Sequence, residues 1–170
     1  AAIAAAEGKD QFETAFDLLE ADKGRSMMVV FLMDEQDVSA VLKYPWSVIG
    51  SDQLLVTGRE QRGHPRAYGT YAKVLGPLVR DDGLFSLETA VRKMSGLPAS
   101  ILGMTDRGRI APGQAADIVL FDPQTVGDKA TYIEPTVLAS GVEMVLIAGM
   151  IAYASGEATV PGLGKVLRRP

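Results

Sequence analysis

Asp52, His64 and Arg66 are the residues of this 170-residue chain whose types and positions could support chemistry. Asp52 directly follows a short apolar run, and a carboxylate at the end of a buried strand can bind a metal ion or transfer a proton. It could equally cap the turn after that strand. Arg66 can hold a substrate carboxylate through two parallel hydrogen bonds, or it can be an ion-paired surface residue. A functional site is therefore predicted within residues 52–66.

His64 is the only histidine in the chain, and there is no cysteine. A zinc site needs three or four ligands from histidine, cysteine and carboxylate side chains, so a site of the usual kind does not assemble from these residues. A Ser–His–Asp triad is formally possible, but the sequence contains no nucleophile elbow of the form Gly-x-Ser-x-Gly. A glycine-rich phosphate loop is missing too. His64 is either a loop or packing residue or a contact to a substrate.

The elements around Asp52 must place it where a substrate can reach it. Residues 27–33 form a continuous apolar run, which favours a strand buried on both faces. Residues 35–43 have a helical pattern, and residues 46–50 form a second apolar run that ends just before Asp52. A strand, a helix and a strand that ends in an acidic residue is the order in which barrel enzymes present catalytic groups.

The remaining pattern predicts a change of architecture near Thr105, from helices to strands. A polar stretch at residues 53–68 is long for a passive connection, and Ala148-Gly149 suits a hairpin turn. Helices are predicted at residues 10–21, 68–80 and 86–94, and strands at residues 116–121, 142–147 and 150–154.

Composition excludes several classes of function. Lysine and arginine number 17 against 21 acidic residues, a net charge of −4, and no basic patch typical of nucleic-acid binding occurs. No apolar run reaches the roughly 18 residues of a membrane span. We expect a soluble, cytoplasmic protein with neither nucleic acid nor membrane as partner. The chain starts without methionine, and we expect it to belong to a longer polypeptide.

Residues 108–122, GRIAPGQAADIVLFD, closely resemble a recurrent segment of the amidohydrolase superfamily. There the polypeptide leaves the catalytic barrel and enters a small accessory β-sandwich, and the segment is structural, so Asp117 is not expected to be catalytic. Residues 86–94, SLETAVRKM, resemble the helices that follow the last barrel strand. Residues 63–70, GHPRAYGT, and residues 161–169, PGLGKVLRR, are similar to the N-acyl-D-amino-acid deacylases, or D-aminoacylases.

The resemblance implies an α/β fold in two parts. Residues 1–104 would hold strands seven and eight of a TIM-type metal-dependent hydrolase barrel with their following helices. Residues 105–170 would form part of the accessory β-sandwich and the C-terminal tail. The family's usual glycine after the strand-eight aspartate is replaced here by Gln53, which puts the loop that follows in question.

The resemblance also implies an activity, the zinc-dependent hydrolysis of an N-acyl-D-amino acid or similar amide. Asp52 matches the family aspartate that contacts the metal and carries a proton from the attacking water to the leaving amine. Arg66 or His64 would contact the small-molecule substrate, with Arg66 suited to its carboxylate. The remaining zinc ligands are missing from this chain, so we expect it to be inactive alone. A subunit of a split hydrolase, a homo-oligomer and a non-catalytic interaction domain remain alternatives.

Overall fold

The computed structural model describes residues 1–25, 30–53 and 64–168. The chain divides into two compact units, Ala1–Asp34 and Glu35–Pro170. The predicted boundary between residues 104 and 105 lies inside the second unit and stays a prediction. Among the described residues, no helix has the length and apolar character needed to cross a bilayer.

In the first unit, residues 1–25 form two helices, α1 (Ala2–Glu7) and α2 (Gln11–Ala21). Asp10 begins α2 because its Oδ1 atom accepts hydrogen bonds from the backbone N–H groups of Phe12 at 2.8 Å and Glu13 at 3.3 Å. The predicted helix over residues 10–21 is confirmed. Its apolar face is open to solvent in this unit, with Phe12 67% exposed.

The strand predicted at residues 27–33 lies partly outside the described residues, which omit residues 26–29. Residues 30–33 are described, and they are exposed and belong to no strand. A strand exists through hydrogen bonds to a neighbouring strand, and the described part of the chain offers these residues no such neighbour.

The described residues of the second unit begin with six helical segments. Helix α3 confirms the predicted helix over residues 35–43, and Ser86 begins α5 as predicted, since its Oγ accepts from the N–H of Thr89 at 3.2 Å. Two segments are π-helices, labelled π1 and π2. The segments are α3 (Glu35–Lys43), α4 (Arg66–Lys73), π1 (Val74–Asp81), α5 (Leu87–Val91), π2 (Arg92–Gly96) and α6 (Leu97–Ile101).

The π1 segment widens the helix where the sequence requires it. Pro77 has no N–H to donate and disfavours a regular α-turn. The neighbouring Gly76 is buried against the backbone of Val126, and a Cβ atom there would lie 2.2 Å from the Val126 carbonyl oxygen. Glycine therefore permits the close approach of π1 to the loop around residue 126.

A small apolar core holds the helices together. Its buried members are Ile49, Val74 and Ala90, and Leu42 and Phe85 are among the residues that pack around them. Ile49 belongs to residues 46–50, where a strand was predicted. That prediction is wrong in this structure: the segment is irregular, and the Ile49 N–H donates to the Lys93 carbonyl oxygen at 3.2 Å rather than to another strand.

The C-terminal part forms one antiparallel sheet in the order β1-β2-β3-β4. The predicted hairpin is confirmed, with Ala148 at φ 52° and Gly149 at φ 80° in the turn between β2 and β3. The strands are β1 (Ile118–Phe121), β2 (Val142–Ile147), β3 (Met150–Ala154) and β4 (Glu157–Ala158). The fold is thus α/β with an antiparallel sheet.

Candidate active site

Asp52 lies at the end of an irregular segment that the core holds at one point. Ile49 is 8% exposed and anchors the segment in the core. Three residues later, Asp52 has φ 50°, in the left-handed region that aspartate tolerates better than most residues. Its side chain is 88% exposed. The backbone is therefore anchored close by while the carboxylate itself points into solvent.

Arg66 is the first residue of α4 and contacts Asp52 directly. Its Nη1 atom lies 3.0 Å from Oδ2 of Asp52, and the arginine side chain is 37% exposed. Its Nε atom is buried and has no hydrogen-bond acceptor among the described residues. Asp52 thus engages one part of the guanidinium group and leaves another donor unsatisfied.

His64 precedes α4 and is tied to its first residue. The Nδ1 atom of His64 accepts a hydrogen bond from the backbone N–H of Arg66 at 3.1 Å. Its ring packs edge to face on Tyr132, with centroids 5.2 Å apart. Burial lowers the pKa of His64 below its ordinary value of 6.5, the positive charge of Arg66 lowers it further, and Asp52 acts in the opposite direction. The neutral imidazole is the favoured form.

The structure brings the three sequence-predicted residues into one group through Arg66, which contacts Asp52 by its side chain and His64 by its backbone. Asp52 was expected at a metal and Arg66 at a substrate, and here they pair with each other. The arrangement offers an accessible carboxylate beside a cation and a neutral imidazole. A carboxylate so placed can accept a proton, and a guanidinium group can bind an anion.

Asp52 is a candidate metal ligand, but the described residues supply no group of further ligands beside it. Within residues 1–25, 30–53 and 64–168, no three aspartate, glutamate, histidine or cysteine side chains lie together as a metal site requires. The Arg66 cation beside Asp52 also competes with a metal ion for the carboxylate. These residues alone do not fit a zinc centre.

Lys93 is a residue near this segment that sequence reasoning missed. It is 1% exposed, and its Nζ atom donates to the carbonyl oxygens of Tyr44 and Ser47 and to Ser47 Oγ. The sequence did contain a signal. Lys93 lies three residues after Ala90 and four before Leu97, both buried, so helical spacing puts the lysine on the buried face.

Asp117 lies in the recurrent segment and has a structural environment, as expected. Its Oδ1 accepts from the backbone N–H of Ala148 at 2.8 Å, and its Oδ2 pairs with Arg107 at 2.6 Å. The carboxylate therefore fixes the hairpin turn between β2 and β3.

An apolar cavity of about 590 Å³ lies between the helices and the sheet of the second unit. Leu75, Met94, Ile110 and Phe121 contribute to its walls, and its lining includes none of the candidate site residues. The cavity and the Asp52 site are separate features.

Comparison with known proteins identifies the family. Residues 1–153 match the model of the amidohydrolase family. The chain belongs to this family. It is 41% identical to the D-aminoacylase of Alcaligenes xylosoxydans over 98% of its length, and 40% identical to the N-acyl-D-glutamate deacylase of the same organism over 83%. The predicted resemblance to the N-acyl-D-amino-acid deacylases is confirmed.

Solved structures show the same similarity. A D-aminoacylase structure described with a binuclear metal center aligns with 92% of the chain, with 41% identity and a TM-score of 0.77. A D-aminoacylase mutant in complex with CuCl₂ aligns with 98%, at 40% identity and a TM-score of 0.82. The N-acyl-D-glutamate deacylase from Bordetella bronchiseptica, complexed with zinc and a phosphonate inhibitor, aligns with 74%, at 41% identity and a TM-score of 0.68.

The chain spans about one third of the length of these relatives. It covers 33% of the Alcaligenes D-aminoacylase and 31%, 34% and 26% of the three solved chains. Metal ions are present in the relatives' structures, zinc in one and copper in another.

Proposed function

We propose that this chain forms the C-terminal portion of a zinc-dependent amidohydrolase that hydrolyses N-acyl-D-amino acids or similar linear amides. The observation that carries the proposal is an accessible Asp52 paired with Arg66, in a chain 41% identical to a D-aminoacylase over 98% of its length. In this proposal residues 1–104 belong to the end of the catalytic barrel, and residues 105–170, which contain the antiparallel sheet, belong to the accessory β-sandwich.

Asp52 carries the proton in the proposed reaction. Hydrolysis forms a bond between a water oxygen and the acyl carbon, breaks the amide C–N bond, and moves a proton from water to the departing nitrogen. A carboxylate performs this transfer when both partners can reach it. The 88% exposure of the Asp52 side chain leaves it open to water and substrate, while Ile49 anchors the backbone three residues away.

Arg66 binds the α-carboxylate of the substrate in this proposal. Arginine pairs with carboxylates through parallel hydrogen bonds that fix orientation as well as charge. Its Nη1 atom already lies against a carboxylate, that of Asp52, and its Nε atom is without an acceptor among the described residues. His64 borders the same place and contacts the substrate as a neutral imidazole, since burial keeps its pKa low.

Zinc enters the proposal as a requirement of the complete enzyme. When bound, it would polarise the amide carbonyl and acidify water. Among the described residues Asp52 is the candidate ligand, and the residues present do not make a metal site. Further ligands would come from polypeptide beyond these 170 residues or from a partner subunit. We therefore expect residues 1–170 alone to bind no stoichiometric zinc and to hydrolyse no N-acyl amino acid.

The proposal is tested with a polypeptide that contains residues 1–170 together with a zinc site. N-acetyl derivatives of D- and L-amino acids are offered at equal concentration, and release of the free amino acid is followed. We expect hydrolysis of the D-series, loss on zinc chelation, and recovery when zinc is restored. Preference for the L-series, or activity that survives chelation, would contradict the proposal.

A parallel experiment uses residues 1–170 as they stand. Equilibrium dialysis against zinc measures the bound metal, and copurification identifies protein partners. Stoichiometric zinc in the isolated chain would contradict the assignment of Asp52 as a ligand that needs others. A copurifying histidine-rich protein that restores hydrolysis would instead support a split hydrolase.

A further inference from the structure

Lys93 has a buried ammonium group whose hydrogen-bond acceptors all come from one short segment of chain. Its three hydrogen bonds go to oxygens of Tyr44 and Ser47: the Tyr44 carbonyl oxygen, the Ser47 carbonyl oxygen at 3.1 Å and Ser47 Oγ at 2.9 Å. The Phe85 ring lies beside it, with its centroid 6.0 Å from Nζ. An ammonium group has three donors, so these acceptors satisfy it completely. The residue is 1% exposed, which makes it the most deeply buried charged side chain described.

The ammonium group stands at the negative end of a helix. Tyr44 directly follows the last residue of α3, and the carbonyl groups at a helix C-terminus carry partial negative charge. Ser47 Oγ turns back to the same end, where it also lies 2.9 Å from the Tyr44 carbonyl oxygen. The ammonium group of Lys93 therefore binds both the C-terminal end of α3 and the segment that follows it.

The main chain of Lys93 holds the same segment at a second point. Its carbonyl oxygen accepts from the N–H of Ile49 at 3.2 Å. Residues 44–49 are thus fixed to π2 at Tyr44, Ser47 and Ile49. Asp52 follows only three residues later, and its exposed side chain has a single ion pair, with Arg66, among the described residues. The attachment at Ile49 therefore lies three residues before Asp52, in the chain that leads to it.

We propose that Lys93 is the positioning residue for Asp52: its buried ammonium group holds residues 44–49 against π2 and thereby sets the place from which the carboxylate extends. This inference rests on the proposed role of Asp52 as the proton carrier. Lys93 itself does not touch the reacting atoms. A displacement of about 1 Å at a reacting group can cost on the order of a hundredfold in rate, so loss of the attachment should lower kcat.

The test uses an active polypeptide that contains residues 1–170, with kcat and KM measured per folded, zinc-loaded protein. We expect Lys93→Met to lower kcat by roughly 10- to 100-fold with KM within about threefold. Ser47→Ala, which removes one of the three acceptors, is expected to lower kcat by a smaller factor, and it supplies the test if Lys93→Met does not fold. Lys129→Met changes an exposed lysine and serves as the matched control.

A double-mutant cycle separates positioning from general damage. If Lys93 acts through Asp52, Lys93→Met or Ser47→Ala will cause no further loss of kcat in an Asp52→Asn background. Hydrogen exchange gives a second readout, independent of activity. The Ile49 amide should exchange faster in the Lys93 variant, while the amides of β2 and β3 keep their wild-type rates.

The outcomes that overturn the inference are distinct from one another. An equal loss of kcat with and without Asp52→Asn would make Lys93 a general structural residue. An unchanged kcat in both Lys93→Met and Ser47→Ala, beside a strong loss in Asp52→Asn, would remove Lys93 from the mechanism and leave the proposed function intact. A harmless Asp52→Asn would overturn both proposals.

Discussion

Two aspartate–arginine pairs in the second unit look alike and differ in what surrounds them. Asp117 and Arg107 approach to 2.6 Å, with side chains 38% and 22% exposed. Asp52 and Arg66 approach to 3.0 Å, with side chains 88% and 37% exposed. The first pair lies against the sheet, and the second joins the end of an irregular segment to the start of α4.

The two pairs differ in how many of their polar atoms form hydrogen bonds or ion pairs within the described protein. Asp117 gives one oxygen to Arg107 and the other to the N–H of Ala148, so the fold uses both oxygens. Asp52 is paired through one oxygen and is open to solvent, and Arg66 retains a buried Nε without an acceptor in the described part of the chain. A pair satisfied by the fold is structural, whereas a pair with unused capacity can bind something else.

The largest expected effect comes from Asp52→Asn in an active polypeptide that contains these residues. The amide cannot carry a proton as a carboxylate does, so kcat/KM should fall by roughly 10²- to 10⁴-fold with little change in thermal stability. Steady-state kinetics and thermal unfolding measure the two quantities. Asp117→Asn is the matched control, expected to keep its activity per folded molecule. Activity within about tenfold of wild type in Asp52→Asn would remove the distinction between the two pairs.

Arg66→Lys tests whether the arginine of the Asp52–Arg66 pair binds the substrate carboxylate. Lysine keeps the charge and loses the planar fork that binds a carboxylate at two points. We expect KM for an N-acetyl-D-amino acid to rise roughly 10- to 100-fold, since hydrogen bonds to charged groups contribute about 1.5–3 kcal/mol. The corresponding carboxamide substrate, which has no carboxylate, should be less affected.

The control for this prediction is Arg107→Lys, the same change in the structural pair, which should leave KM unchanged. If Arg66→Lys instead damages the acid and its carboxamide equally, Arg66 acts through Asp52 and does not bind the substrate carboxylate.

Asp117→Ala tests the structural half of the comparison. The change removes the acceptor for the Ala148 N–H and one of the two carboxylates that pair with Arg107, the other being Asp106. A hydrogen bond contributes about 0.5–1.5 kcal/mol and a partly exposed ion pair about 0.2–1 kcal/mol. The free energy of unfolding should therefore fall by about 1–2 kcal/mol, as measured by chemical denaturation. A stability loss no larger than that of Asp52→Ala would contradict the structural assignment.

Sequence predicted those parts of the fold that local chemistry determines. Asp10 and Ser86 begin helices because their side-chain oxygens reach N–H groups two or three residues ahead. The Ala148-Gly149 turn follows from a glycine at positive φ between two apolar runs. These features need no information about distant residues, and the structure has them where they were predicted.

Prediction was less successful where distant residues decide the outcome. The apolar run at residues 46–50 suggested a strand, but Ile49 bonds to Lys93, which lies 44 positions further along the chain. The Asp52–Arg66 contact crosses a polar stretch that gives no periodic signal. Sequence therefore identified the candidate residues by type, whereas their pairing with each other and the burial of Lys93 beside residues 44–49 are visible only in the three-dimensional structure.

The smallest expected effect concerns His64, which reports on the Asp52–Arg66 pair directly. Since it is the only histidine, one imidazole resonance in the NMR spectrum of untagged protein gives its pKa. We expect a value below 6.5, because burial and the Arg66 charge disfavour the imidazolium form. Arg66→Met should raise the pKa, and Asp52→Asn should lower it further, because Asp52 acts in the opposite direction to Arg66.

The free energy of unfolding should depend on pH because of the lowered pKa of His64. Between the lowered folded pKa and 6.5, the unfolded chain binds more protons at residue 64 than the folded chain does, so acidification through this range favours unfolding. The contribution of neutral His64 is complete above about pH 6.5 and is lost as the pH falls toward the folded pKa. His64→Gln should therefore reduce the drop in thermal midpoint between pH 8 and pH 5.5. A folded pKa above 6.5 would contradict the burial of the imidazole. Opposite responses to the two variants would mean that the Asp52–Arg66 pair does not lie beside His64 in solution.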